Sequence, residues 1–179
     1  MDNPKIIFRR MGADEDRPLF YCGSQDLNES FHEDSKEADR ELVAVTYAVE
    51  MDGSTVAFFC VSNDSIRAED TTRSRFKKIR SGIPAAKRYA NMPAVKIGRL
   101  ATNSDFQSQG IGTRILDLIK VWFTEGNKTG CRFIIVDAAN NERTLEFYKR
   151  NGFQFLDIRP EVAEDRTRLM FFDLLTFRE

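Results

Sequence analysis

Histidine and cysteine are scarce in this sequence, and their scarcity excludes several kinds of site. There is one histidine, His32, and the three cysteines, Cys22, Cys60 and Cys131, are odd in number and widely spaced. A histidine-rich metal centre, a zinc site and a disulfide framework all need more of these residues at closer spacing. We therefore expect no bound metal, and the unpaired thiols are typical of a protein of the reducing cytoplasm.

Long hydrophobic runs are also missing. No stretch of 18 or more apolar residues is present, so we expect no membrane-spanning helix. The first residues, MDNPK, lack the basic and apolar regions of a secretory signal, which again favours the cytoplasm. The chain has 179 residues, of which 41% are hydrophobic, and this is enough to bury one core. We therefore expect a single domain over residues 1–179.

The sequence has no overall excess of charge, but its charges are unevenly placed. The formal net charge is −1. Residues 12–41 contain ten acids and three bases, whereas residues 66–90 contain eight bases and two acids. The basic segment could attract a nucleic acid or another polyanion, or it could be a solvated surface that pairs with the acidic segment. The sequence leaves both interpretations open.

Hydrophobic periodicity predicts hairpins in the first half and alternating strands and helices in the second. Strands are predicted at residues 5–9, 42–51, 55–61, 94–102, 132–138, 153–156 and 168–175. One or two short helices are predicted at 26–38, and single helices at 71–81, 108–124 and 141–150. Asp52-Gly53 is a strong hairpin signal, and Ser24 or Asp26 is expected to cap the first helix. This order of elements is typical of an α/β domain with a mixed sheet.

The most informative segment is QSQGIGT, residues 107–113, between a predicted strand and a predicted helix. Gly110 and Gly112 permit a tight turn and a close approach of a ligand to the backbone. The free N–H groups of the first helical turn, together with the helix dipole, form an anion site suited to a pyrophosphate, to which Arg114 could add charge. Ile115 stands where the Rossmann spacing needs a third glycine, and a G-K-[ST] ending is missing. The alternative is a plain strand-to-helix turn.

This segment resembles the acyl-CoA-binding motif of the GNAT superfamily of N-acetyltransferases, Q/R-x-x-G-x-G/A. Gln107, Gly110 and Gly112 fill that pattern. The family's second motif, N-x-x-A-x-x-hydrophobic-Y, is similar to the stretch from Asn141 to Tyr148, with threonine in place of alanine. The resemblance implies a GNAT fold: a mixed, mostly antiparallel sheet with a splayed pair of parallel strands, flanked by helices.

The resemblance also implies a set of acetyl-CoA contacts. Backbone groups of the strand before the turn would bind the pantetheine arm, and amides of the turn would bind the pyrophosphate. Asn141 would contact the pantetheine arm, or it would cap its helix, or both. The implied cofactor-binding residues are Leu100, Ala101, Thr102, Gln107, Ser108, Gln109, Gly110, Ile111, Gly112, Thr113, Arg114 and Asn141.

Tyr148 is the implied catalytic residue, because a phenol near the thioester sulfur can protonate the departing thiolate. Its other interpretation is a tyrosine that packs its ring in the core. Members of the family often carry a glutamate base on the strand before the turn, but residues 94–103 contain no carboxylate. This favours an acceptor amine of low pKa, since an α-amine has a pKa of roughly 7.7–8.0 against about 10.4 for lysine. Asp137 and Asp105 are weaker candidates for a base.

Further motifs resemble those of toxin-type acetyltransferases, which acetylate the α-amine of aminoacyl-tRNA and are neutralised by an antitoxin. These motifs are FYCG at 20–23, DLN at 26–28, VTYAV at 45–49, IGRLA at 97–101 and IVDA at 135–138. The function implied is acetyl-CoA-dependent N-acetyl transfer to a primary amine. The acceptor is then a small molecule or a charged tRNA, and an antitoxin and a second copy of the chain are the possible protein partners. The alternative from another class is a non-catalytic acyl-CoA-binding or interaction module.

Overall fold

The computed structural model describes residues 4–84, 89–127, 129–156 and 165–177. Its seven strands are β1 (Ile6–Met11), β2 (Val45–Met51), β3 (Ser54–Arg67), β4 (Asn91–Thr102), β5 (Phe133–Ala139), β6 (Gln154–Phe155) and β7 (Thr167–Asp173). Its α-helices are α1 (Gln25–Glu29), α2 (Ser35–Arg40), α3 (Arg73–Ile79), α4 (Ile111–Glu125) and α5 (Glu142–Arg150).

The strands form one mixed sheet in the order β1-β2-β3-β4-β5-β7-β6. Neighbours are antiparallel except for the parallel pair β4 and β5, so the expected mixed sheet flanked by helices is confirmed. The Asp52-Gly53 hairpin is confirmed as well. Asp52 and Gly53 have positive φ angles, 50° and 79°. This is the backbone conformation of the two-residue turn whose twist matches that of the flanking strands.

The chain divides into two compact units, each with its own core. Unit 1 contains Met1–Ser62 and Ile97–Leu118, and unit 2 contains Asn63–Lys96 and Ile119–Glu179. The expectation of a single domain stays a prediction.

The core of unit 1 is built around three aromatic rings. Phe20 packs edge-on against Phe31 and Phe58, and the last two are stacked with ring centroids 4.8 Å apart. Met11, Ala48 and Ala101 complete this cluster. Met11, Ala48, Phe58 and Ala101 lie on β1, β2, β3 and β4, whereas Phe31 lies between α1 and α2. Burying these residues together fixes the segment from α1 to α2 against the four strands.

The segment predicted as one or two short helices forms α1 and α2, with a π-turn over Ser30–Asp34 between them. Ser24 caps α1 as expected, since its side chain accepts from the Leu27 N–H. At the π-turn the Phe31 carbonyl accepts from the Ser35 hydroxyl at 2.6 Å and from Arg17 Nε at 3.3 Å. These two donors stabilise a backbone turn that local sequence propensity does not signal.

The core of unit 2 is an apolar cluster that α3 shares with one face of the strands. Its buried members are Ile66, Phe76, Ile79, Met92, Ala94, Phe133, Ile135, Leu156 and Phe171. Two long-range bonds fix α3 and the chain just before it to the end of β6, from Thr71 Oγ1 to Leu156 O at 2.8 Å and from Arg75 to Phe155 O.

Each of the two charged segments forms the ion pairs described here within its own unit, and not with the other segment. The acidic segment pairs with Arg9, Arg10, Arg40 and Arg99 in unit 1. In the basic segment, Arg67 pairs with Glu69. Arg73, Lys77 and Lys78 on α3 are exposed, and Lys87 and Arg88 lie outside the described residues. Within the part of the chain that the structure describes, no helix is both long and apolar enough to cross a membrane.

Candidate functional site

The turn that follows β4 is tied to the strand by two amide side chains. The Asn103 N–H donates to Val56 O at 2.8 Å, and its side chain donates to Thr55 O and accepts from the Asp105 N–H. Gln107 Nε2 donates to Thr102 O at 3.0 Å and to Cys22 O at 2.9 Å. Because both hydrogens of the Gln107 amide are used within the chain, this residue acts by positioning the turn.

After Gln107 the backbone turns sharply and leaves its amides open. Ser108 has a φ angle of 62° and Gly110 one of 76°, in the left-handed region. A Cβ added at Gly110 would meet no atom within 4 Å, so the space against this backbone is empty. α4 then begins at Ile111, and the Arg114 N–H donates to Gly110 O at 3.1 Å, which closes the first helical turn.

Five successive amides, from Ser108 to Gly112, have no acceptor among the described residues. Ser108, Gln109 and Gly110 are exposed and Gly112 is half-buried, while the Ile111 side chain is buried. A run of open N–H groups at the positive end of a 15-residue helix is an anion site for a group with several oxygens. The residues present therefore fit the pyrophosphate of coenzyme A.

Two further side chains near the turn donate hydrogen bonds to backbone carbonyls of the same chain. Gln109 Nε2 donates to Asp105 O at 2.9 Å, and the Arg114 guanidinium donates to Pro4 O at 2.9 Å. Thr113 is exposed. On the strand before the turn, Ala101 is buried in the core of unit 1, while Leu100 and Thr102 are half-buried.

Tyr148 lies in unit 2, on α5, with only 8% of its surface exposed. Its ring packs edge-on against Phe147 and Phe153, with centroids 5.1 and 5.2 Å away. Burial raises the pKa of the Tyr148 phenol to about 12, because a buried phenolate would lose its hydration. Its hydroxyl has no hydrogen-bond partner within residues 4–84, 89–127, 129–156 and 165–177, so a protonated phenol is available to a ligand.

The C-terminal end of α5 is anchored by a buried lysine that sequence reasoning missed. Lys120 of α4 is 4% exposed, its ammonium donates to Asn151 O at 3.0 Å, and it lies 4.7 Å from the Phe172 ring centroid. A cation at this position is favourable beside the negative end of the helix dipole. The contact fixes the last turn of the helix that carries Tyr148.

Asn141 caps α5. Its side-chain oxygen accepts from the Thr144 N–H at 2.9 Å, and its backbone is extended, as an N-cap requires. The cap half of the sequence-based expectation is therefore present, and contact with the pantetheine arm stays a prediction.

Replacing Asn141 by alanine is expected to lower the free energy of unfolding by about 1 kcal/mol, because the Thr144 N–H loses its acceptor. Asn141→Asp keeps the acceptor and is expected to retain the stability of the wild type. Urea unfolding measures both, and an unchanged midpoint in the alanine variant would contradict the capping role. A weaker affinity for acetyl-CoA in the aspartate variant, whose cap is intact, would assign a ligand contact to the side-chain N–H group that both variants lack.

The two carboxylates considered as bases differ in their surroundings. Asp137, on β5, pairs with Lys96 of β4, with Nζ and Oδ2 2.5 Å apart, and Lys96 also lies 4.0 Å from Asp64 of β3. Asp105 is exposed on the turn after β4. Sequence reasoning missed Lys96 and Asp64, although a lysine between buried Val95 and Ile97 is an unusual charge inside a strand.

Comparison with known proteins gives matches by family and by fold. A family model described as acetyltransferase (GNAT) domain matches residues 44–155, more than half of the chain. The tRNA(Met) cytidine acetyltransferase TmcA of Haemophilus ducreyi (strain 35000HP / ATCC 700724) is 33% identical over 70 residues. That match covers 38% of this chain and 12% of TmcA, so the chain spans a small part of this relative.

Solved structures with the same fold cover almost the whole chain. AtaT complexed with acetyl-methionyl-tRNAfMet has a TM-score of 0.74 and 22% identity, over 97% of this chain and 98% of that one. A mutant of KacT has a TM-score of 0.73 and 22% identity, over 97% of each chain. AtaTR bound with AcCoA has a TM-score of 0.69 and 22% identity, over 97% of this chain and 96% of that one. At these identities the likeness shows the fold.

The resemblance carried by Gln107, Gly110 and Gly112 is thus confirmed by the family match, which includes both the turn and Tyr148. Enzymes of this family use acetyl-CoA as co-substrate, and the open amides from Ser108 to Gly112 suit its pyrophosphate. The chain belongs to the acetyltransferase (GNAT) domain family.

Proposed function

We propose that this protein is an N-acetyltransferase that moves the acetyl group of acetyl-CoA to a primary amine by direct attack. The observation that carries the proposal is the run of five open amides at the start of α4. These amides would bind the pyrophosphate. The turn that carries them is held in place by the hydrogen bonds from Gln107 Nε2 to Cys22 O and Thr102 O. Backbone groups of Leu100, Ala101 and Thr102 would bind the pantetheine arm, as an added strand does.

In the transfer step, the lone pair of the acceptor nitrogen attacks the thioester carbonyl carbon. The C–N bond forms, the C–S bond breaks, and the thiolate takes the proton of the Tyr148 phenol. The high pKa of Tyr148 supports this role, since the phenol stays protonated at every physiological pH. An interaction module would need neither the open turn nor this hydroxyl, and an acyl-CoA-binding module would need only the turn. The presence of both favours the enzyme.

We propose that the acceptor is the α-amine of an aminoacyl-tRNA. The structural neighbours include AtaT with acetyl-methionyl-tRNAfMet, and β4 carries no carboxylate base. An α-amine needs no strong base, because a substantial fraction is already neutral near its pKa of roughly 7.7–8.0. The exposed cations of α3, Arg73, Lys77 and Lys78, give a surface for tRNA phosphates.

The remaining proposals concern the surroundings of the enzyme. One neighbour is an AtaT toxin bound to the C-terminus of the antitoxin AtaR, and we propose a comparable antitoxin for this chain. A homodimer is a further proposal, supported by the position of β1 and β6 at the edges of the sheet. We place the protein in the cytoplasm, where charged tRNA and acetyl-CoA are present and its three free thiols stay reduced.

The test is acetyl transfer from radiolabelled acetyl-CoA with the purified chain. The acceptors are a panel of aminoacyl-tRNAs, their uncharged forms, free amino acids, polyamines and a lysine peptide. We expect label only on charged tRNA, and mass spectrometry after ester hydrolysis should find the N-acetylated amino acid. Label on small amines with none on charged tRNA would overturn the acceptor proposal, and no label on any amine would overturn the enzymatic one.

A further inference from the structure

Three charged side chains form a row across β3, β4 and β5 in unit 2. Lys96 lies between Asp137, at 2.5 Å, and Asp64, at 4.0 Å. The side chains of Lys96 and Asp64 are 29% and 27% exposed, and that of Asp137 is 43% exposed. The row is therefore open to solvent on the Asp137 side, although it lies in the middle of the sheet order.

The row continues the buried face of unit 2. Asp64, Lys96 and Asp137 each stand two residues from a member of the apolar cluster, namely Ile66, Ala94 and Ile135. Since side chains alternate between the faces of a strand, the charged row and the cluster share one face. A charged side chain on the core face of a sheet is costly unless it is paired or binds a ligand. One carboxylate would be enough to neutralise Lys96, but the row contains two.

Within the residues that the structure describes, Lys96 is the cation that pairs with Asp137, and no second ion pair of this carboxylate is found. On β7 its partner in register is Leu169, an apolar residue packed against the cluster. Three cations lie beside this cluster. Arg75 binds Phe155 O and lies 5.8 Å from the Phe171 ring centroid, and Arg80 lies 5.4 Å from the Phe76 ring centroid. Arg132 lies 5.0 Å from the Phe133 ring centroid and pairs with Asp173. Two carboxylates share one ammonium, so the row has a net charge of −1 and attracts a second ammonium.

We propose that Asp137, held by Lys96, binds the ammonium of the acceptor and takes its proton before the attack on the thioester. This inference rests on the proposed function and names the base that β4 does not supply. The row supports this role, because Asp137 already binds one primary ammonium, that of Lys96, and an α-ammonium has the same donors. Asp137 also stands at the carboxyl end of a parallel strand, where ligands of α/β sheets bind.

Every proton that the reacting groups give up is accounted for in the transfer step. The acceptor ammonium gives one proton to the Asp137 carboxylate, and the neutral amine forms the C–N bond as the C–S bond breaks. The thiolate takes the Tyr148 proton, and the second N–H proton of the acceptor returns to the phenolate through water. Asp137 releases its proton to solvent, so each turnover yields the amide, free coenzyme A and one proton.

The test is the pH profile of Asp137→Asn with acetyl-CoA and the best aminoacyl-tRNA acceptor. At about pH 6, where the α-amine is protonated, we expect kcat/KM for the acceptor to fall by about 100-fold. At about pH 8.5, where the amine is largely neutral, the deficit should shrink to less than about fivefold. Lys96→Met removes the cation that holds Asp137 and should lower kcat/KM less than Asp137→Asn does. Lys96→Arg keeps a cation at this position and should retain the wild-type kcat/KM.

Glu146→Gln is the matched control. Glu146 is a half-exposed carboxylate paired with Lys149 at 2.8 Å on α5, and its loss should change the rate less than about twofold at any pH. A deficit of Asp137→Asn that is constant with pH, or no deficit, overturns the inference, and partial unfolding cannot imitate a deficit that disappears at high pH. Wild-type protein that binds acetyl-CoA but acetylates no charged tRNA would instead overturn the proposed function.

Discussion

Tyr148→Phe is expected to lower kcat by about 10²–10⁴, the range for losing a proton-transfer group. Without the phenol, the thiolate must leave unprotonated or take its proton from water. The affinity for acetyl-CoA should change little, because the ring and its contacts with Phe147 and Phe153 remain. The rate at which free thiol is released, measured in stopped time points, gives kcat. Calorimetric titration with acetyl-CoA gives the affinity.

Stability separates the chemical role of Tyr148 from a packing role. None of the described residues offers the Tyr148 hydroxyl a hydrogen bond, so phenylalanine should leave the free energy of unfolding nearly unchanged. Tyr47→Phe on β2 is the control, since Tyr47 also packs on a phenylalanine, with 5.2 Å between ring centroids. Full activity in the Tyr148 variant would mean that another group protonates the sulfur.

The pKa of about 12 for Tyr148 also fixes a pH dependence. A general acid is lost as pH rises through its pKa, so the wild-type rate should show no decline caused by Tyr148 between about pH 6 and about pH 9.

Gly112→Arg is expected to abolish binding of acetyl-CoA, with an increase in Kd of at least about 100-fold. Gly112 is the second residue of α4, where the backbone is helical, so arginine fits the backbone and gains helix propensity over glycine by somewhat less than about 1 kcal/mol. The folded state should therefore survive. The side chain would fill the space in which the pyrophosphate meets the amides.

The charge of arginine sharpens this test. A positive side chain attracts pyrophosphate, so tighter binding in Gly112→Arg would contradict the close backbone contact. Gly12→Arg is the matched control, because a Cβ at Gly12 meets no atom within 4 Å and its φ angle is ordinary. Calorimetric titration with acetyl-CoA should give the wild-type Kd for that control.

Much of the fold follows from local patterns that act over a few residues. The Asp52-Gly53 hairpin, the helix predicted over residues 108–124 and the strand predicted over 132–138 all occur in the structure, with ends shifted by a few residues. The exceptions have tertiary causes. β3 continues to Arg67, six residues beyond the expected strand, where Asp64 and Ile66 join the row and the core of unit 2. The π-turn at Ser30–Asp34 depends on Arg17, which lies outside the helix.

The candidate site divides in the same way. The turn was predictable because glycine spacing and a strand-to-helix junction act within seven residues. The ties of Gln107 to Cys22 and of Lys120 to Asn151 were not, since their partners are 85 and 31 residues away. The row of Asp64, Lys96 and Asp137 depends on strand register, which no single segment contains.

By itself, the sequence determined the family, the sheet with its flanking helices and the turn suited to a pyrophosphate, because short-range backbone chemistry encodes each of them. Only the tertiary structure decided which side chains are available for chemistry. It buried Tyr148 and left its hydroxyl open, it used the amide of Gln107 to hold the turn, and it brought a lysine and two aspartates together. Burial and partner choice decide the state of a titratable group, and both are set by residues distant in the chain.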